Sequence, residues 1–138
     1  MSDALFYPVL MQVGLTLALA IATGLMRFRA IASGQVKPGD IALGQGAWPR
    51  RAQQVSNAYQ NQMEAPVLFY AGALFATVLG VTSTALVVLA WVWAVSRLLH
   101  AFIHVTSNHL RLRFMAFAAG MLCLMAFWIV LVVGVVTQ

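Results

Sequence analysis

The chain has 138 residues, of which 62% are hydrophobic and 8% charged. At a mean hydropathy of +0.89, so short a chain cannot hide its apolar side chains in a water-surrounded core, which excludes a soluble globular domain and leaves a small integral membrane protein. The formal net charge of +5 does not point to nucleic acid, because the basic residues flank apolar segments and so report topology.

Leu5 to Met26 is apolar and uncharged, and about 20 such residues span a bilayer. A cleaved signal peptide competes, with Ala20-Ile21-Ala22 as a cleavage site. However, no Lys or Arg precedes the run, and it is long for a signal core. Gly14, Ala18 and Ala22 lie four apart, a row that allows close helix packing and is also simply common in membrane helices. Arg27 and Arg29 close this segment. Ala30 to Trp48, with Gly34, Pro38-Gly39, Gly44 and Gly46, reads as the main loop, and Trp48 suits a membrane interface.

Pro49 fits the first turn of a second helix that the pattern carries to about Leu79. It starts in water or headgroups with Arg50, Arg51, Gln53 and Gln54 and then enters lipid. Pro66 frees the carbonyl of Gln62 and is expected to bend this helix just past Glu64. Asn57, Asn61 and Glu64 recur at i, i+4 and i+7, which puts them on one helical face. Glu64 is the only acidic residue in or beside an apolar segment, and a carboxylate at that depth needs a partner or a purpose.

Gly80 to Ser83 is a short turn. Thr84 to Val105 is the third apolar segment, and Phe114 to Val136 the fourth; the one cysteine, Cys123, can form no disulfide within the chain. The single-domain chain is thus predicted as an all-α membrane protein, an antiparallel bundle of four transmembrane helices at about residues 5–28, 58–80, 84–107 and 114–136. Arg27, Arg29, Lys37, Arg50 and Arg51 surround the first loop, and Arg111 and Arg113 the third connection, so both loops are expected in the cytoplasm of a multi-pass protein.

Arg97, His100, His104, Asn108 and Arg111 are spaced by three, four, four and three, and are read as one stripe on the third helix. Arg97 then has Glu64 as a candidate partner. One reading is a buried ion pair that sets bundle register. The other is a polar pocket, open to the cytoplasm, for a small anionic, peptide-like ligand, since Arg forks onto carboxylates and Asn and Gln match amides. His100 and His104 at i, i+4 have a zinc-chelating spacing. No HExxH pattern accompanies them, and the arginines repel a cation, so a metal site is not expected.

Asn61-x-x-Glu64 followed closely by Pro66, with Arg97 and Arg111 further on, resembles the MAPEG superfamily, membrane-associated proteins in eicosanoid and glutathione metabolism. The resemblance covers nearly the whole chain, and the compact form resembles bacterial members more than eukaryotic ones. It implies a homotrimer in the membrane lipids with glutathione, as co-substrate, bound between neighbouring subunits. Asn61 and Glu64 match the family's glutathione-binding pair, Glu64 holding the amino group. Arg97 matches a binding-region arginine, Arg111 the arginine that stabilises the thiolate, and Arg27 or Arg29 the arginines ending the first helix. The chain departs from the pattern at Asn57, where the family has arginine, at His100 and His104, which replace tyrosines, and at Pro66, which stands nearer to Glu64. Asn57, His100 and His104 are still carried as ligand-binding positions, the two histidines donating hydrogen bonds to a ligand or lining a hydrated cavity.

Two functions follow from the resemblance. One is a membrane-embedded, glutathione-dependent transferase or peroxidase acting on lipophilic electrophiles, small molecules that partition from the bilayer. The other is a non-catalytic protein of the same fold that binds a lipid or a partner.

Overall fold

The structure is a computed structural model that describes residues 2–42 and 46–138; Gly44 of the predicted loop lies outside them. The described residues form no strand. A 3-10 turn, Ser2–Leu5, leads into α1 (Phe6–Ala32), α2 (Pro38–Ile41), α3 (Arg50–Gln60), α4 (Ala65–Val78), α5 (Thr84–Val105) and α6 (Leu110–Val136). Three of these, α1, α5 and α6, have the length and hydropathy to cross a membrane. Their outer faces expose large apolar side chains such as Leu17, Ile21, Phe102 and Ile129, as lipid-facing helices require.

α1 tolerates Pro8 because the first-turn N–H groups of a helix have no partner inside it. It runs beyond the predicted end at residue 28, so Arg27 and Arg29 stand within its last two turns. Gly34, at φ 72°, ends it: its N–H meets Ile31 O at 2.9 Å, the N–H of Gln35 meets Ala30 O at 3.0 Å, and Val36 is buried beside them. In the row of Gly14, Ala18 and Ala22, Gly14 and Ala18 are exposed, nothing lying within 4 Å of where a Gly14 Cβ would be, and Ala22 is half-buried.

The predicted continuous second helix is instead two helices, the polar α3 and the apolar α4, separated by a break at residues 61–64. Breaking before Glu64 rather than bending after it places Pro66 in the first turn of α4, where its missing N–H costs nothing. At 14 residues α4 is about 21 Å long, short of the bilayer's ~30 Å core.

The predicted stripe on the third helix is also interrupted. α5 stops at Val105, Asn108 takes a left-handed conformation at φ 50°, and α6 starts at Leu110. Arg111 therefore belongs to the first turn of α6, not to the helix that carries Arg97, His100 and His104.

The core sits at the end of the bundle where α1 begins and α6 finishes. There Leu5 shares a cluster with Phe69, Val81, Leu86, Trp93, Phe127 and Leu131. Phe69 stacks on Trp93 with ring centroids 4.2 Å apart and meets Phe127 edge-on at 5.8 Å. α5 and α6 approach so closely at Gly120 that a Cβ there would lie 2.7 Å from Ser96 Oγ. The polar residues gather at the other end. Arg27 Nη2 donates to Ser56 Oγ at 2.7 Å, and Gln54 Nε2 donates to His104 O at 2.7 Å, which ties the ends of α1 and α5 to α3.

Candidate functional site

The break between α3 and α4 organises the polar centre, because a broken helix leaves carbonyls without partners. Backbone N–H groups of Asn61, Gln62 and Met63 return to Asn57, Tyr59 and Gln60. Side chains serve the rest. Gln62 Nε2 donates to Ala58 O at 3.2 Å, and Arg97 Nη2 donates to Asn61 O at 3.1 Å and more weakly to Asn61 Oδ1 at 3.5 Å. Gln62 is in turn held by Gln12 of α1, whose Nε2 lies 2.8 Å from Gln62 Oε1. Gln12, Gln62 and Arg97 are all essentially inaccessible.

Arg97 is therefore a helix-capping cation. A positive group at the C-terminal end of α3 meets the negative end of the helix dipole as well as an orphan carbonyl. Its hydrogen bonds go to Asn61 and not to Glu64, which corrects the expected direct ion pair. Glu64 still acts on the Arg97 charge through space. The Phe117 ring lies 5.9 Å from the guanidinium carbon on another side.

In front of this buried layer lies a cleft of about 210 Å³, lined by Asn61, Glu64, His100, Arg113, Phe114 and Phe117 among others. Glu64 is exposed at its edge, and Arg113 is half-buried. His100 Nδ1 is 3.0 Å from the carbonyl oxygen of Arg113. A carbonyl only accepts, so Nδ1 carries the hydrogen there. Arg113 Nη1 donates to Asn108 Oδ1 at 2.6 Å, so the left-handed residue between α5 and α6 aims this arginine.

The structure thus brings Asn61, Glu64 and His100 together and sets Arg97 behind them. His104 is buried one turn from His100, the two rings 5.8 Å apart, and does not line the cleft. Asn57 is exposed elsewhere on α3 and accepts from Gln53 Nε2 at 2.7 Å. Arg111 is exposed and does not line the cleft, whereas its neighbour Arg113 does. Arg27 and Arg29 separate. Arg27 lines a second groove of about 330 Å³ with Thr23, Ser56, Tyr59 and Gln60, and its guanidinium carbon lies 4.9 Å from the centre of the Trp48 ring. Arg29 faces a third groove.

Sequence reasoning missed Gln12, Gln62 and Arg113 as parts of this centre. Gln12 is the only amide in the first apolar segment, a visible signal. Arg113 was hidden by the assumption that one helix ran through Thr106–His109.

A family model described as the MAPEG family matches residues 5–133. No curated protein matches the chain, and neither does any solved structure.

Proposed function

Since the chain belongs to the MAPEG family, we propose that it is a membrane-embedded, glutathione-dependent transferase or peroxidase acting on lipophilic electrophiles. The observation that carries this reading is the single cleft onto which a carboxylate, an amide and a guanidinium converge as Glu64, Asn61 and Arg113. Those three chemistries are the ones a small peptide with an amino group, amide bonds, carboxylates and a thiol requires.

In this reading Glu64 holds the ammonium group, Asn61 meets an amide, and Arg113 lies beside the sulfur. A free thiol with a pKa of about 8.5 is mostly protonated at neutral pH, and a fixed guanidinium raises the thiolate fraction. Arginine keeps its own proton, so the thiol proton leaves to water. The sulfur lone pair then forms a bond to the electrophilic carbon as the leaving group takes its electron pair. In the peroxidase variant the sulfur attacks a peroxide oxygen, the O–O bond breaks and an alcohol leaves. A second glutathione then reduces the sulfenic sulfur to a disulfide with loss of water. Arg113 takes the part that sequence reasoning gave to Arg111.

A cleft of about 210 Å³ is below the ~300–1,000 Å³ usual for pockets that enclose a small ligand. A second surface is therefore needed. In this reading a neighbouring copy supplies it, as the homotrimer implied by the family would, and the groove holding Arg27, Tyr59 and Gln60 is one polar surface available for that. In the membrane, α3 and α4 together make the fourth pass, and both basic loops face the cytoplasm by the distribution of arginines.

One observation favours the non-catalytic reading. The Arg113 guanidinium is already engaged by Asn108 and its carbonyl by His100, so a ligand must compete for it or share it. The deciding experiment is calorimetric titration of glutathione into the purified protein in detergent, beside a Glu64→Gln variant. Saturable binding that the variant loses supports the transferase reading. No binding up to millimolar glutathione removes it.

A further inference from the structure

α1 has 27 residues and is about 40 Å long, which exceeds the ~30 Å hydrocarbon core of a bilayer. Its last turns therefore stand among lipid headgroups. A groove of about 350 Å³ opens there between α1 and the start of α3, lined by Met26, Arg29, Ser33, Gln35, Arg51 and Ala52 among others. It shares none of its lining residues with the Asn61–Glu64 cleft.

Three features of this groove match one ligand chemistry. Two arginines from different helices line it, both with exposed side chains, and among the described residues neither makes a hydrogen bond or ion pair, unlike the engaged Arg27. The first turn of α3 adds amide N–H groups, since among the described residues no side chain caps that helix and the first return bond runs from Gln53 N to Pro49 O at 3.0 Å. No counter-charge is built in: the chain has three acidic residues, and none lines the groove. Ser33 and Gln35 add polar groups, and Met26, Ala30, Pro49 and Ala52 supply an apolar part of the wall.

We propose that this groove binds the headgroup phosphate of an anionic phospholipid, held between Arg29 and Arg51, with an acyl chain running over Met26 along α1. Free phosphate offers the same oxygens, but it has no use for an apolar wall at the membrane surface. A lipid bound there would hold the chain at a fixed depth, in a groove separate from the Asn61–Glu64 cleft.

The test is native mass spectrometry of the protein released from nanodiscs of equal phosphatidylglycerol and phosphatidylcholine. Each arginine near the surface is worth about 1 kcal/mol toward anionic lipid, so the two together predict about a tenfold or greater enrichment of retained phosphatidylglycerol. Arg29→Gln with Arg51→Gln is expected to bring the ratio close to one. Arg50→Gln, which removes a neighbouring charge outside the groove, is expected to keep most of the enrichment. Parity in the wild-type chain overturns the proposal, as does an equal loss in the Arg50 variant, which would mean a diffuse basic surface. Displacement of the lipid by millimolar inorganic phosphate also overturns it, in favour of a free-anion site. A measurement on the unaltered chain guards against a misfolded variant: short-chain phosphatidylglycerol titrated in detergent should saturate, and short-chain phosphatidylcholine should not. Equal behaviour of the two lipids sinks the proposal.

Discussion

Arg97 Nη2 lies 3.1 Å from the carbonyl oxygen of Asn61, the residue that ends α3, and the two are 36 positions apart in the chain. The contact joins the one broken helix of the bundle to the unbroken α5. It gives a buried cation a structural task that a direct pair with Glu64 would not give, and it leaves the Glu64 carboxylate at the edge of the cleft. Asn61 thereby belongs to two systems, capped from behind through its backbone and exposed to the cleft in front.

Replacing Arg97 by Ala is expected to destabilise the protein by about 1–3 kcal/mol, the cost of orphaning a buried acceptor. Arg97→Lys should recover part of that loss, because the charge at the helix end survives while the forked geometry does not. Thermal unfolding in detergent, followed by circular dichroism, checks the order of the three. A midpoint unchanged in the Ala variant would show that the break holds without its cap.

Arg113 and Arg111 separate cleanly in the proposed reaction. Arg113→Ala is expected to lower the turnover of glutathione with a small aryl halide by about 10²–10³, the usual effect of removing one donor aimed at developing negative charge. Arg111→Ala, at an exposed position off the cleft, should stay within about twofold, since surface substitutions perturb little. Steady-state kinetics of both variants decide the matter. The reverse ranking would return the role to Arg111.

Much of the fold was legible because apolar length is a local property. The segments around Leu17, Trp93 and Leu124 announce membrane helices without any tertiary information. The candidate site was less legible, because helix breaks are settled by partners far away in sequence. Pro66 told of a disturbance, but its position relative to Glu64 depends on who satisfies the freed carbonyls, and those groups come from Arg97 and, through Gln62, from Gln12, 50 residues earlier. The same holds at Asn108. A helical spacing from Arg97 to Arg111 looks continuous on paper, yet one residue in a left-handed conformation resets the register and exchanges Arg111 for Arg113 at the cleft.

Gln12 and Gln62 are expected to be coupled. The bond at 2.8 Å holds the Gln62 amide from across the bundle, and Gln62 in turn reaches Ala58 O. In a double-mutant cycle of Gln12→Leu and Gln62→Leu, the coupling should be about 0.6–1.5 kcal/mol, the range for hydrogen bonds between helices in membrane and soluble settings. Strict additivity in unfolding free energy would mean that the two amides act separately.

The close approach of α5 and α6 rests on Gly120. A Cβ at that position would sit 2.7 Å from Ser96 Oγ but 3.7 Å from Ser96 Cβ, an ordinary contact. Ser96 Oγ is itself fixed, donating to Trp93 O at 2.7 Å. Gly120→Ala alone is therefore expected to destabilise by about 1–3 kcal/mol, as overpacking of a tight interface does, despite the better helix propensity of alanine. Adding Ser96→Ala removes the clashing oxygen and leaves a carbonyl that already serves the α5 ladder. The double variant should regain most of the lost stability, and could exceed the parent chain by up to about 1 kcal/mol from the propensity gain. Thermal midpoints of the two single variants and the double variant, in one detergent, provide the check. If Ser96→Ala fails to rescue, the obstruction lies in the helix backbones rather than in the hydroxyl, and α5 and α6 are held apart by more than this one contact.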